Sequence, residues 1–508
     1  MIMRLKSIST LLPGWRVVFA ALLLFTSQST HAEGTLRIGV NALPLGLGNP
    51  FRSASPPTIF TTAAVFDALT RFDAAGNLKP WLATKWEPVD AVTWRFTLRD
   101  DVLFSTGEPL TSDAVVAAVE FLVSEAGVGQ GVRTETRFLK AARAIDSRTV
   151  DITTTEPLPS WPRYAAALLI PEPNAWRKLG LEGFARAPVG TGSYRAERIS
   201  AGGWTLTAVP KAWNKPKVSK VEILGIPDAS ARVQALMADR LDIATMLGPD
   251  DIAAIQAGGG IGVSWTYPSV NGLSFNMNLD GPWRDIRVRR ALGLAVNRER
   301  IIEQLLGGRS VPANQPAART VLGYNPDLPA SRYDPTAAKA LLAAAGYPNG
   351  FPVTLEVTTG SAPNDAAIFQ QIAADFAAVG VAVTIRVTPA PQFVTKLGRG
   401  KFDGEMFAAP WPTAPALDVL RSMLMHSCMR PDPWWCDQEI MPTVREAFRE
   451  TDPDKSLKLR QQIMAQYVET APAVFLFQTT MFAGLSPKVT GFRLDADFIN
   501  YHELGLTP

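Results

Sequence analysis

Residues 353–387 read VTLEVTTGSAPNDAAIFQQIAADFAAVGVAVTIRV, and this stretch decides the fold class. Val353–Thr358 alternates apolar and polar side chains, the period of a strand with one face buried. Ala366–Val379 reads as a helix stopped by Gly380, and Val381–Val387 alternates again. Strand, helix, strand is the βαβ unit of a parallel sheet.

Working outward, the same order recurs upstream. Lys220–Leu224 reads as a strand, Ala229–Arg240 as an amphipathic helix with Val233, Leu236 and Met237 on one face, and Leu241–Ile243 as a strand. Before it, Leu36–Val40, Trp94–Leu98, Val150–Thr153, Ser193–Arg195 and Trp204–Thr207 have strand character. Trp94, Phe96 and Leu98 are expected on a buried face. Thr58–Leu69 is expected as a helix, and so is Asp113–Ser124, capped by Ser112. Downstream, Val288–Leu306 predicts one long helix broken by Gly307-Gly308. Pro335–Ala345 and Leu457–Val468 predict two more, and Ala473–Phe477 a buried strand. With no internal repeats or long linkers, two α/β lobes joined by crossing strands fit this pattern.

The first 32 residues have the three-part layout of a secretory signal. Arg4, Lys6 and Arg16 precede the apolar run Val17–Phe25, and Thr30-His31-Ala32 offers small residues for cleavage after Ala32. Nine apolar residues span only about 14 Å as a helix, too short for a hydrocarbon core of about 30 Å. The expected mature chain begins at Glu33, resides in the periplasm and does not span a membrane. Of 508 residues, removal of 32 leaves 476, more than one hydrophobic core usually serves. The whole chain carries 50 Lys and Arg against 47 Asp and Glu; without the signal's three basic residues the two sides are equal. A near-neutral chain lacks the concentrated basic face that nucleic acid requires.

Two cysteines, Cys428 and Cys436, lie eight positions apart in HSCMRPDPWWCDQ. In an oxidising compartment a local disulfide is the expected pairing. The alternative is metal ligation with His426, for which only Asp432 or Asp437 stand near as further ligands. No cofactor and no metal site are expected.

Longer motifs carry a resemblance. Phe66–Val116 reads FDALTRFDAAGNLKPWLATKWEPVDAVTWRFTLRDDVLFSTGEPLTSDAVV. With Gly190-Thr191-Gly192-Ser193-Tyr194, Asn214–Asp242, Ser274–Asn278 followed by Asp285–Ala291, and Tyr333–Tyr347, it resembles the peptide/nickel-type (family 5) extracellular solute-binding proteins of ABC importers. The likeness runs from Leu36 to Leu506 in the family's order. It implies a type II periplasmic binding protein fold: two α/β lobes with a hinge between them and an extra subdomain inserted in lobe I. Lobe I would comprise 33–43, 189–268 and 484–508, the insert 44–188, and lobe II 269–483. The implied function is capture of a small solute by hinge closure and delivery to an inner-membrane ABC permease, by a protein expected to be a monomer.

In peptide binders of this family an Asp shortly after a Trp in lobe II holds the peptide's amino terminus, and in dipeptide binders an Arg after a strand holds its carboxylate. Here Trp411 matches the Trp, the Asp position falls on Ala414, and the Arg position on or beside Thr359. With both charges missing, a zwitterionic di- or tripeptide is disfavoured, because a buried terminus without a counter-charge is costly. Asp418 and Arg421 are nearby substitutes, or else residues of a helix surface. The remaining cleft candidates are Asn41 and Pro44 after the first strand, Tyr267 and Asn271 at the crossing, and Ala409. Trp411 either stacks on a guest or packs. Peptides with blocked or unusual termini, modified amino acids, opines and glycosides remain open.

Two rival readings are an exported hydrolase, and a binding protein of the same fold serving a sensor or a chaperone role. The chain has no G-x-S-x-G or H-E-x-x-H motif. After processing it keeps only His426 and His502, neither within a triad motif.

Overall fold

The computed structural model describes residues 34–507 except 55, 57, 361 and 497. The signal and its cleavage site, expected at residues 1–32, lie outside the described residues.

One mixed sheet gathers ten strands in the order Ala382–Val387, Pro352–Val357, Met406–Pro412, Ile261–Phe275, Ala473–Leu485, Ile243–Thr245, Thr35–Val40, Lys220–Gly225, Gly203–Ala208, Tyr194–Ile199. The two long strands at its centre join two α/β halves. Ile261–Thr266 pairs antiparallel with Leu485–Thr480, and Val270–Ser274 pairs with Gln478–Ala473 after a register slip. Pro268 sits in that slip, where its missing N–H removes no ladder bond. On one side of the pair, Met406–Pro412 leads to parallel Pro352–Val357 and Ala382–Val387; on the other, Ile243–Thr245 leads to parallel Thr35–Val40 and Lys220–Gly225. This is the expected two-lobed α/β architecture.

The βαβ unit forms as its periodicity predicts. Leu355 stands opposite Ile385, and helix Asp365–Ala377 buries Ile368, Ile372 and Phe376 in the same core as Val353 and Leu355. Trp94 and Phe96 occupy a separate antiparallel sheet, ordered Ala83–Pro88, Thr93–Leu98, Thr149–Thr154, Leu139–Ala144. Phe96 and Leu98 are buried there. Trp94 is only half-buried and donates its indole N–H to the Leu158 carbonyl at 3.2 Å.

Several expectations need correction. Ser112, expected to cap a helix, is instead its first residue, and its hydroxyl donates to the Asp146 carbonyl. The helix expected over Thr58–Leu69 stops at Thr62. Beyond it the carbonyls of Ala64 and Val65 accept the N–H groups of Tyr194 and Gly192 at 3.0 and 2.9 Å. A Cβ on Gly190 or Gly192 would stand 2.1 or 2.5 Å from those carbonyl oxygens, so the Gly-x-Gly motif exists to let two backbones approach. The long helix expected over Val288–Leu306 is two helices, Ile286–Ala295 and Arg298–Leu305. At the break Asn297 accepts the Arg300 N–H at 3.0 Å while its own N–H reaches Asp375 at 2.9 Å, so a new N-cap wins over helix continuation. Met237, expected on a buried face, is 56% exposed, because its helix ends there.

The resemblance motifs converge on one buried carboxylate. Asp67 accepts the indole N–H of Trp81 at 2.7 Å, the Thr191 hydroxyl at 2.8 Å and the Trp213 indole N–H at 3.2 Å. Trp81 shares the Phe66–Val116 motif with Asp67, Thr191 belongs to the Gly190–Tyr194 motif, and Trp213 immediately precedes Asn214, so the carboxylate joins three distant segments.

Candidate functional site

Trp411 lies on strand Met406–Pro412 beside Val270. It is completely buried and stacks on His426, with ring centres 3.6 Å apart and planes 12° from parallel. Tyr467 and Phe475 meet it edge-on at 5.8 and 5.2 Å. Gly272 leaves room for the indole, since a Cβ there would stand 3.1 Å from its nitrogen. His426 places Nε2 3.1 Å from the Pro410 carbonyl, and burial pushes its imidazole well below the ordinary histidine range. In this conformation Trp411 is surrounded by packing on every side the ring offers.

The structure brings Tyr267 and Ala414 together. Ala414 is buried with Phe72, Ala166 and Leu417, and Tyr267, Leu78 and Ala496 pack against the same cluster. Asn271 ties the two long strands together through Thr479 Oγ1 at 2.9 Å. Asn41 follows strand Thr35–Val40 with a buried Oδ1 that has no partner among the described residues. Pro44 is buried and accepts the Leu47 N–H at 3.1 Å in a turn. Thr359 is exposed in the loop after Pro352–Val357. Ala409 belongs to a neighbouring cluster with Phe393, Phe402, Phe407, Trp434 and Trp435.

Neither charged residue near Ala414 lies on an exposed helix surface. Asp418 is fully buried, caps the Leu420 N–H at 3.0 Å and holds the Arg460 guanidinium at 2.8 and 2.9 Å. Arg421 is gripped by Glu135 at 2.6 and 3.2 Å. Burial opposes the charge of Arg421, but Glu135 more than offsets this and leaves the guanidinium above its ordinary value. Glu135, Arg460 and nearby Tyr164 were not sequence candidates. They lie far along the chain from the residues they meet, with no periodic pattern to connect them.

Cys428 and Cys436 stand as a disulfide, Cα atoms 4.5 Å apart. His426 faces Trp411, and among the described residues no group of three or more His, Cys, Asp or Glu is placed to hold a metal. Among them, too, no helix is long and apolar enough to cross a membrane. A surface cavity of about 270 Å³ lies elsewhere, lined by Leu45, Asn49, Arg52, Gln130, Glu182 and Arg186 among others.

Comparison with known proteins agrees with this architecture. The family described as bacterial extracellular solute-binding proteins, family 5 (middle), matches residues 77–426. The dipeptide-binding protein of Escherichia coli K12 is 26% identical over 486 residues, covering 86% of this chain and 90% of its own. The Helicobacter pylori periplasmic binding protein DppA, solved with the peptide STSA, superposes with a TM-score of 0.80 at 22% identity, covering 94% of this chain and 99% of its own. AgaA of A. tumefaciens R10, solved with agropinic acid, superposes with a TM-score of 0.76 at 24% identity, covering 94% and 99%. With two α/β halves joined by a pair of long strands, and a family match over most of its length, the chain belongs to the family 5 bacterial extracellular solute-binding proteins.

Proposed function

We propose that the chain is the periplasmic solute-binding component of an ABC importer, a monomer that captures a small organic solute between two lobes and releases it unaltered to an inner-membrane permease. Lobe I comprises 33–43, 189–268 and 484–508, with 44–188 inserted; lobe II comprises 269–483. The observation that carries this reading is the meeting of Tyr267 and Ala414 with Phe72 and Ala166 beside the crossing strands, where those parts of the chain face one another. Closure around a guest desolvates it and completes its hydrogen bonds, so the guest shifts the population toward the closed form.

The guest is peptide-like, a modified amino acid, an opine or a glycoside. Ala414 offers no carboxylate, and both charged residues near it, Asp418 and Arg421, already have partners. This supports a guest without paired free termini. The relative solved with agropinic acid fits this reading; those named for dipeptides and solved with the peptide STSA mark the free-termini alternative that the screen below tests.

A melt screen of the mature protein tests the reading, using dipeptides with free termini, N-acetylated and C-amidated dipeptides, agropinic acid and simple glycosides. A compound at ten times its Kd stabilises by about 1.4 kcal/mol. One compound class is expected to raise the melting temperature, to compact the protein in solution scattering and to be recovered unchanged by mass spectrometry. Chemical conversion of the guest would refute transport as the role, and a best response to free dipeptides would refute the reading of Ala414 and Thr359.

A further inference from the structure

The insert and the lobe II segment meet at a deeply buried ion pair. Glu135 follows the short turn Gly131–Thr134, and Arg421 stands on helix Val419–Met423. One carboxylate oxygen accepts from Nη2 at 2.6 Å and the other from Nε at 3.2 Å, with side chains 6% and 12% exposed. Arg421 also donates to the Pro412 carbonyl at 3.2 Å. Beside it, Arg163 of the insert donates to the carbonyls of Ala416 and Leu417, both at 2.8 Å. Arg449 and Glu156, 3.0 Å apart and more exposed, form an outer pair between the same two segments. Tyr164 is fully buried near Glu135 and Arg421; burial first, then Asp418 and Glu135, hold its phenol protonated, so it brings no charge.

We infer that Glu135 and Arg421 form a clasp that holds the lobes together and sets the open–closed equilibrium on which guest capture draws. This rests on the lobe division proposed above. The pair differs in kind from Asp418–Arg460, whose two members belong to the same lobe. Opening the lobes returns Glu135 and Arg421 to water without stranding either charge, so the pair is not needed for either lobe to fold. Closing them desolvates both, and the two-pronged carboxylate–guanidinium geometry offsets that cost. A nearly balanced exchange of this kind suits a hinge that a guest must tip. Arg137, half-buried, and Asp418 with Arg460, paired to each other, are further charged groups near this junction.

The test measures interlobe distance in the guest-free mature protein by double electron–electron resonance. Spin labels are placed on cysteines at the exposed positions Lys140 in the insert and Lys458 in lobe II. The unsubstituted clasp should give a dominant short distance. E135Q and R421M should lower that population about tenfold or more, R421K should fall between, and the charge-swapped E135R/R421E should recover it. Single variants that keep the original distance distribution would overturn the clasp. So would loss of folded circular dichroism in both E135Q and R421K, because the clasp reading requires each lobe to fold without the pair. A protein that binds none of the screened solutes yet opens on E135Q would refute the transport reading and leave the clasp standing; solute binding without opening would refute the clasp alone.

Discussion

Replacing Trp411 by Ala separates a core residue from a guest-stacking one. The indole is 0% exposed and touches His426, Tyr467 and Phe475, so truncation removes a large apolar group from a site walled by aromatic rings. Burial of that size costs about 3–5 kcal/mol when cut to alanine, and the rigid wall, including Gly272 on the neighbouring strand, leaves little scope for collapse. W411F should cost less than half as much: phenylalanine refills much of the space, and the indole N–H has no partner to lose among the described residues. Urea unfolding of the guest-free protein, followed by circular dichroism at pH 7.5, measures both. An unfolding midpoint for W411A equal to that of the unsubstituted protein would refute the reasoning, and weaker solute binding alongside it would make the ring a cleft residue.

His426 carries a pH dependence. Its folded-state imidazole is held well below the ordinary value, so below about pH 6.5 the unfolded chain binds the extra proton and stability falls with falling pH. H426Q should flatten the acid-side loss by up to about 1.4 kcal/mol per pH unit; an unchanged slope between pH 6.5 and 5 would contradict a buried neutral ring. D67A strands two indole N–H groups and a hydroxyl and should cost about 3 kcal/mol or more in urea unfolding. D67N should cost less, because its amide oxygen still accepts, and an equal loss would shift the cause to charge. R460M leaves Asp418 as a buried unpaired carboxylate and should cost about 3–5 kcal/mol, most of it recovered in D418L/R460M. Additive losses in that cycle would show that the two groups do not act as a pair.

What the chain declares locally survives folding. The strand–helix–strand order of 353–387 is written in alternation, 3.6-residue spacing and Gly380, all within the reach of neighbouring residues, and so it was legible in advance. Tyr267 and Ala414 were each legible as cleft candidates, but that they share one apolar cluster emerged only with the fold.

Contacts closed between distant segments were not. Thr58–Leu69 has a helical pattern, yet its second half pairs with the backbone at Gly192 and Tyr194, more than a hundred positions away. Trp411 has the composition of either a wall or a stacking platform, and only the packing of His426, Tyr467 and Phe475 chose between them. Asp418 and Arg421 looked like spare charges because Arg460 and Glu135 stand 42 and 286 residues from them. Residue type determines what a group can bond to, whereas burial and the partner it meets are properties of the closed chain.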